Sequence, residues 1–568
     1  MKPDLNSIQM KRFNKKYALA FFLLSLAVSN FNTLFAQDQR NDKNFELNKN
    51  LDLFYNIVRE LDQFYVDSIK PDKLIMTGVD AMLSSLDPYT NFIPETDMDD
   101  FKFMTTGEYG GIGSLIGVKD GVIFISEPYE GLPASKSGLR TGDVILSING
   151  VDMKGKKVDD ASSLLKGEAN TDVVLKVKRY GSGQIEELKI RREKIQINSI
   201  AYADLLDSNV GYIQISSFTD KTGDEFKAAF QDLKKRGMES LVIDLRGNGG
   251  GVMEEAIKVV NYFVPKGEDV VSTRGKLRQW DKVYKTTLEP LDSVIPLAIL
   301  VDQGSASASE IVSGALQDLD RAVIIGNRTF GKGLVQSARG IGYNGNIKLT
   351  TAKYYTPSGR CVQAIDYSRR NADGSVGEIP DSLTQVFKTK NGRDVRDGGG
   401  ITPDIKTTLT PAPNILFYLV NDFLVFDFAN QYAFEHPQIE MPKQFELSDE
   451  DYNKFKEYVK SKNFTYDKQS EKMLAKLKEV AKFEGYLDGS ENEFAALEAK
   501  LTHDVDRSLD KFKPEISQYL ASEILRRYYY QKGSSAYQLK HDQELPEAIN
   551  ILKDQAKYNQ ILSGKDTK

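Results

Sequence analysis

A single cysteine, Cys361, occurs in 568 residues, so an intrachain disulfide and any cysteine-based metal cluster are excluded. Histidine is nearly as scarce: His436, His503 and His541 are the only three, and all fall late in the chain. A Ser-His-Asp triad drawn from the middle of the chain is therefore impossible, and a histidine in a charged helical tail reads first as a solvated residue. Blocks of one charge sign are missing too. With a formal net charge of -6 and no basic cluster, the chain lacks the electrostatic footprint of a nucleic-acid partner. Long apolar runs are absent: "ALAFFLLSLAV", Ala18 to Val28, falls short of the roughly 20 residues that span a bilayer. Lys11, Arg12, Lys15 and Lys16 precede it and "SNFNTLFAQ" follows, the layout of an export signal cleaved after Ala36. Leu34 is large for the position three before that cleavage, which leaves an uncleaved signal anchor open. Either way the expectation is an exported, periplasmic or cell-envelope protein.

What is present is an ordinary globular composition, long enough for about three to four domains. Residues 1–36 are the signal. Residues 37–104 read as a helical region, with Leu53, Ile57, Leu61 and Phe64 at helical spacing, a stripe suited to a core or a partner surface. From 105 to 195 short apolar strands alternate with glycines, with one helical stretch, "VDDASSLLKG". From 196 to 412 strands and helices alternate, "NVGYIQISSF", "DEFKAAFQDLKKRG", "ESLVIDLRG", "VMEEAIKVVNYFV", "PLAILVD", "SEIVSGALQD", "RAVIIGN", which argues for a parallel sheet flanked by helices. Residues 413–568 are helical and charged.

Three stretches of the third segment carry chemistry. "DQGSASASEIV" puts Ser305, Ser307 and Ser309 at a strand-to-helix turn, where a serine either caps the helix or is exposed as a nucleophile. "DLRGNGGG" follows an apolar strand; its bare backbone N–H groups suit an anion or an oxyanion, or the run is a loose turn. "GNRTFGKG" fits seven positions of a phosphate-binding loop and fails at the eighth, where Gly333 stands in place of Ser or Thr. Without histidine, an activated serine needs lysine or a carboxylate as its base. Lys332 in that role must be neutral, which means lowering its pKa from about 10.4 to near 7 or 8, about 4 kcal/mol of disfavoured charge. Gly331 and Gly333 beside it let the backbone pack closely.

Over roughly residues 50–410 these motifs, in unbroken order, resemble the carboxyl-terminal processing (tail-specific) proteases. "LDPYTNFIPETDMDDF" is similar to the family's N-terminal signature, "GEYGGIGSLIG" with "SGLRTGDVILSINGV" to its PDZ module, and "LVIDLRGNGGG", "GSASASEIVSGALQD", "TFGKGLVQ" and "KYYTPSGR" to its peptidase core. The resemblance implies an α/β multidomain fold: a crotonase-like peptidase core with an inserted PDZ domain and helical terminal regions. It implies Ser307 as nucleophile, Lys332 as base, Gln336 orienting the lysine, and an oxyanion hole from the backbone N–H groups of Gly251 and Ala308. It implies no cofactor and no metal. A substrate's free C-terminus would enter the loop Tyr109 to Gly113 beside the edge strand Ser114 to Gly117, touching Gly110, Gly111, Ile112, Gly113, Leu115, Leu164 and Leu165, with Val158 and Ala161 on the same helix. Cys361 to Asp404 is longer than the simplest members carry and would rim the site or an interface. The helical tail matches no motif and would serve an adaptor or a homo-oligomer. The rival class is a catalytically silent PDZ scaffold or a hydrophobic-ligand carrier on the same core. Nucleotide hydrolysis is the third.

Overall fold

The computed structural model describes residues 44–371, 373–408, 411–501 and 504–564. The signal segment with Ala36, and His503, lie outside them. The described residues divide into two compact units, 44–92 and 93–564. In the first, a helix runs over residues 44–64 and a second, opened by proline in its first turn, over Pro71–Ser84. Leu53, Ile57 and Phe64 are exposed, so the apolar stripe of the first helix is not core within its unit.

In the second unit, residues 114–191 form an antiparallel sheet in the order Ser114–Lys119, Val122–Pro128, Val144–Ile148, Asp172–Lys178, Ile185–Arg191. Strict alternation builds it: Val173, Leu175 and Val177 are fully buried, with the residues between them facing outward. The helix Val158–Leu165 closes the core through Ala161 and Leu165. Glu108–Gly111 pairs antiparallel with Glu193–Gln196, a two-stranded stem that brings the two ends of the module together.

The largest core belongs to a six-stranded sheet in the order Ile200–Leu205, Val210–Ile215, Ser240–Asp244, Leu297–Val301, Val323–Gly326, Ile405–Lys406. It is parallel apart from the first pair. Along Leu297–Val301 the odd residues Leu297, Ile299 and Val301 pack with the helices Thr222–Lys235, Met253–Asn261 and Ala308–Asp318. The even residues Ala298 and Leu300 pack with Leu545, Ala548, Ile551, Leu552 and Tyr558. Both faces are thus buried, which is why the strand reads as an unbroken apolar run. Its second cover comes from the last two helices, Leu545–Lys553 and Gln555–Ser563, so this sheet layer draws on chain from both sides of residue 412.

Between those parts a separate helical core gathers Leu419, Phe428, Phe455, Leu520 and Ile524. The PDZ-like sheet is seated on it. Phe124 meets Phe423 and Phe426 at ring separations of 5.7 and 5.1 Å, Lys119 pairs with Asp427 at 2.5 Å, and the Tyr180 hydroxyl donates to the Asp427 carbonyl. Among the described residues no helix is long and apolar enough to cross a membrane.

Candidate active site

The turn after Leu297–Val301 is built by Asp302, whose Oδ1 accepts the backbone N–H groups of Gly247, Gly304 and Ser305 at 2.9, 2.9 and 3.1 Å. Ser305 Oγ donates to the Leu245 carbonyl at 2.8 Å and Ser309 Oγ to the Asn248 carbonyl at 2.9 Å. Both serines are fully buried, and both pin the loop that leads into the glycine run. Ser307 differs. It is partly exposed, with φ 55° and ψ -110°, a region that costs an L-residue roughly 1–3 kcal/mol and persists only where the surroundings enforce it. The Tyr354 hydroxyl and the Ile311 N–H both donate to its carbonyl.

A carboxylate that the residue types alone did not single out binds this turn to the lysine loop. Glu310 is completely buried. Its Oε2 accepts the backbone N–H of Ser307 at 2.9 Å and of Lys332 at 2.8 Å. Its Oε1 accepts the Thr329 hydroxyl at 2.6 Å and the Gly331 N–H at 2.7 Å. The main chains at 307 and 332 are therefore joined by two hydrogen bonds through one oxygen. Burial pushes the Glu310 carboxyl above its ordinary range, against the pull of these four donors. Three of the donors are backbone N–H groups, which cannot reverse, so the arrangement suits the ionised form. The signal was in the sequence: Ser307-x-x-Glu310 has the spacing of a capping box, in which the acid reaches back to the N-cap N–H.

The same bonds dispose of a phosphate cradle. Across residues 329–333 the N–H of Thr329 goes to Ile401, of Phe330 to Ser305, of Gly331 and Lys332 to Glu310, and of Gly333 to Gln363. A carboxylate occupies the place an anion would need. Gly331 and Gly333 are required by close approach: a Cβ would lie 2.4 Å from the Ala364 Cβ at the first and 2.8 Å from the Gln363 N at the second. Gln363, Ala364 and Ile401 of the long segment thus pack against the lysine loop.

The glycine run reaches the serine. A Cβ on Gly250 would lie 2.8 Å from the Ser307 Cβ and 2.9 Å from the Ala308 N, so only glycine fits. The Gly250 N–H is held by Asn248 Oδ1 at 2.8 Å. Phe218 bonds to the Gly250 carbonyl and the Val252 N–H, using neither polar group of Gly251. Ala308 opens its helix, where the first N–H groups have no intrahelical partner. Gln336 lies on Leu334–Gly342 and donates to Thr350 Oγ1 on the neighbouring strand at 3.2 Å. His436 stacks on Tyr432 and the His541 ring lies tilted against Tyr537, each histidine capping the end of a C-terminal helix. Among the described residues no group of three or more His, Cys, Asp or Glu could hold a metal ion.

The carboxylate loop expected at Tyr109 to Gly113 needs correction. Gly110 and Gly111 belong to the stem strand, because Glu193–Gln196 returns alongside them, and Gly110 also accepts the Gly167 N–H. Only Ile112 and Gly113 connect stem and sheet, Ile112 buried in the core and Gly113 at φ 70°. Ser114–Lys119 is an edge strand. Leu115 on it is exposed, and Leu164 and Leu165 stand half-buried and buried on the helix beside it.

Three family models match: peptidase family S41 over residues 209–368, a PDZ domain over 124–179, and the C-terminal helical domain of PDZ-proteases over 415–552. A carboxy-terminal-processing protease of Bartonella bacilliformis is 35% identical over 61% of this chain and 80% of its own. The chain belongs to the carboxy-terminal-processing proteases of family S41. A CtpA-like serine protease of Staphylococcus aureus is 32% identical over 78% of this chain and 88% of its own. Among solved structures a photosystem II D1 C-terminal processing protease is 29% identical, with 62% of this chain and 92% of that one covered at a TM-score of 0.33. The carboxy-terminal-processing protease described here is thus a serine protease of mixed α/β architecture with a PDZ domain and helices at both ends.

Proposed function

We propose that this protease cleaves peptide bonds with Ser307 as nucleophile and Lys332 as general base, on substrates presented by their free C-termini to the PDZ domain. The observation that carries the reading is the shared Glu310 oxygen, which ties the main chains of Ser307 and Lys332 together. In the reaction the uncharged Lys332 amine takes the Ser307 hydroxyl proton as Oγ attacks the carbonyl carbon. The oxyanion is received by the N–H groups of Ala308 and Gly251. Lys332 then returns its proton to the leaving amine, and water repeats the sequence on the acyl-enzyme. Gln336, four residues beyond the lysine, orients it. The edge strand Ser114–Lys119 accepts a substrate tail as an added strand, and such a protein acts outside the cytoplasm.

Mutagenesis tests the chemistry. Ser307→Ala abolishes hydrolysis of an unfolded protein substrate, while Ser305→Ala and Ser309→Ala, which lose buried hydrogen bonds, retain a measurable rate. Lys332→Arg is inactive, since a guanidinium stays protonated above about pH 12. A folded Ser305→Ala variant without activity, or an active arginine variant, removes the Ser307–Lys332 assignment. Two substrates differing only by C-terminal amidation test tail recognition: the free acid is cut faster, and equal rates remove that part of the reading.

A further inference from the structure

The loop that carries the glycine run begins at Arg246, and each of that side chain's nitrogens meets a carboxylate. Nε donates to Asp244 Oδ1 and Oδ2 at 3.0 and 3.1 Å. Nη2 donates to Asp244 Oδ2 and to Asp542 Oδ2, both at 2.6 Å. Nη1 donates to Asp542 Oδ1 at 3.2 Å and to Glu544 Oε2 at 2.8 Å. The carboxylates are themselves fixed. The Tyr212 hydroxyl donates to Asp244, the N–H groups of Glu544 and Leu545 donate to Asp542 Oδ1, and the Thr407 hydroxyl donates to Glu544 Oε1. Asp542 and Glu544 lie in the turn that opens the helix Leu545–Lys553, far along the chain from the loop they hold.

Three carboxylates around one guanidinium are more than an interdomain anchor requires. Their excess negative charge stands mostly out of water, with Asp244 and Glu544 side chains only 1% exposed, and such a charge is retained at an energetic cost. The loop they meet explains the need. Gly247, Gly250 and Gly251 all have positive φ, at 69°, 99° and 143°. A chain of that composition has little stiffness of its own, so its shape is imposed from outside. Asn248 and Asp302 hold its middle, Phe218 holds its far end, and Arg246 holds its beginning. We propose that Asp542 and Glu544 are positioning residues of the peptidase site: through Arg246 they keep the glycine loop in the shape that presents Gly251 to the oxyanion. The C-terminal helical region is on this account part of the catalytic apparatus. The inference rests on the oxyanion role given to Gly251 in the preceding subsection.

The test uses the full chain with the isosteric variants Asp542→Asn and Glu544→Gln, singly and together. Readouts are kcat and KM, thermal melting, and the affinities of two probes. A peptide boronate forms a tetrahedral adduct on the serine and places an oxygen where the oxyanion develops; the cleaved product peptide does not. Each single variant is expected to lower kcat about tenfold and weaken the boronate by the same factor, with KM and product affinity within about twofold. A purely structural anchor gives the opposite pattern: lower melting temperature and fewer active molecules, with kcat per titrated site and the boronate-to-product affinity ratio unchanged. That pattern, or full activity in a folded single variant, overturns the proposal. If the double variant fails to fold, Asp542→Asn alone decides, because Asp244 and Glu544 still hold the guanidinium. Wild-type enzyme that binds no boronate at Ser307 removes the underlying catalytic reading instead, so the two failures are distinguishable.

Discussion

Glu310 satisfies four donors with two oxygens, and no neutral side chain of the same size can do so. In Glu310→Gln one oxygen becomes an NH2 group facing N–H donors, so at least two buried donors lose their acceptor at about 1–3 kcal/mol each. The Ser307 and Lys332 main chains then lose their common tether, and kcat is expected to fall about a hundredfold. Steady-state kinetics with a urea melt checks this: a folded glutamine variant with near-normal kcat shows that the shared oxygen positions nothing. The acid side of the pH profile carries the same residue. Burial raises the Glu310 pKa, so its protonation falls above the ordinary carboxylate range and loosens the turn as pH drops. At this scale the sequence displayed residue types and spacings: three serines at alternate positions, a lysine between glycines. It did not display that one oxygen serves both main chains, because that depends on the lysine loop folding back against a helix many residues earlier.

The helix Ala308–Asp318 is buried along every residue, so each of its polar groups needs a partner. At its C-terminal end Asp318 Oδ1 accepts Arg360 Nη2 at 2.7 Å, with both side chains at most 1% exposed, and Asp318 Oδ2 accepts the Ser358 N–H. Removing one member of a buried pair strands the other, so Asp318→Ala and Arg360→Met are each expected to cost about 3–5 kcal/mol. The double variant should cost much less than the sum. Denaturant melts of all four proteins form the cycle, and additive losses contradict a direct pair. A second element, the turn at Asp542, gives a pH prediction. Burial there favours the neutral acid, but the Arg246 guanidinium outweighs it and holds Asp542 below the ordinary carboxylate range. Its contribution to stability is therefore complete above about pH 4 and lost only as pH falls further; a melting temperature that drops between pH 6 and 5 in wild type, but not in Asp542→Asn, contradicts this. Sequence periodicity gave the order of strands and helices in the central segment. The loop that the resemblance implied at Gly110 and Gly111 is strand instead, since a glycine pair carries no record of the distant strand Glu193–Gln196 that pairs with it.

Across the whole molecule, the unbroken run "PLAILV" announced that both faces of the sheet are covered but not by what. The second cover is Leu545–Lys553 with Gln555–Ser563, and amphipathic helices in a charged tail look alike whether they bind a partner or their own sheet. A chain ended at residue 544 leaves Val210, Tyr212, Val242, Leu300 and Ile325 without that cover. It is expected to aggregate or bind a hydrophobic dye, whereas a soluble, cooperatively melting truncated chain contradicts the assignment. Polypeptides are made from the N-terminus, and every strand of the sheet leaves the ribosome before the helices that complete it. Ser307 is likewise translated long before the segment that finishes its support. On the reading proposed above, a chain stopped before residue 542 carries Ser307 without the Asp542 and Glu544 carboxylates that hold Arg246, and such a chain, made as far as the serine, is expected to show no peptidase activity.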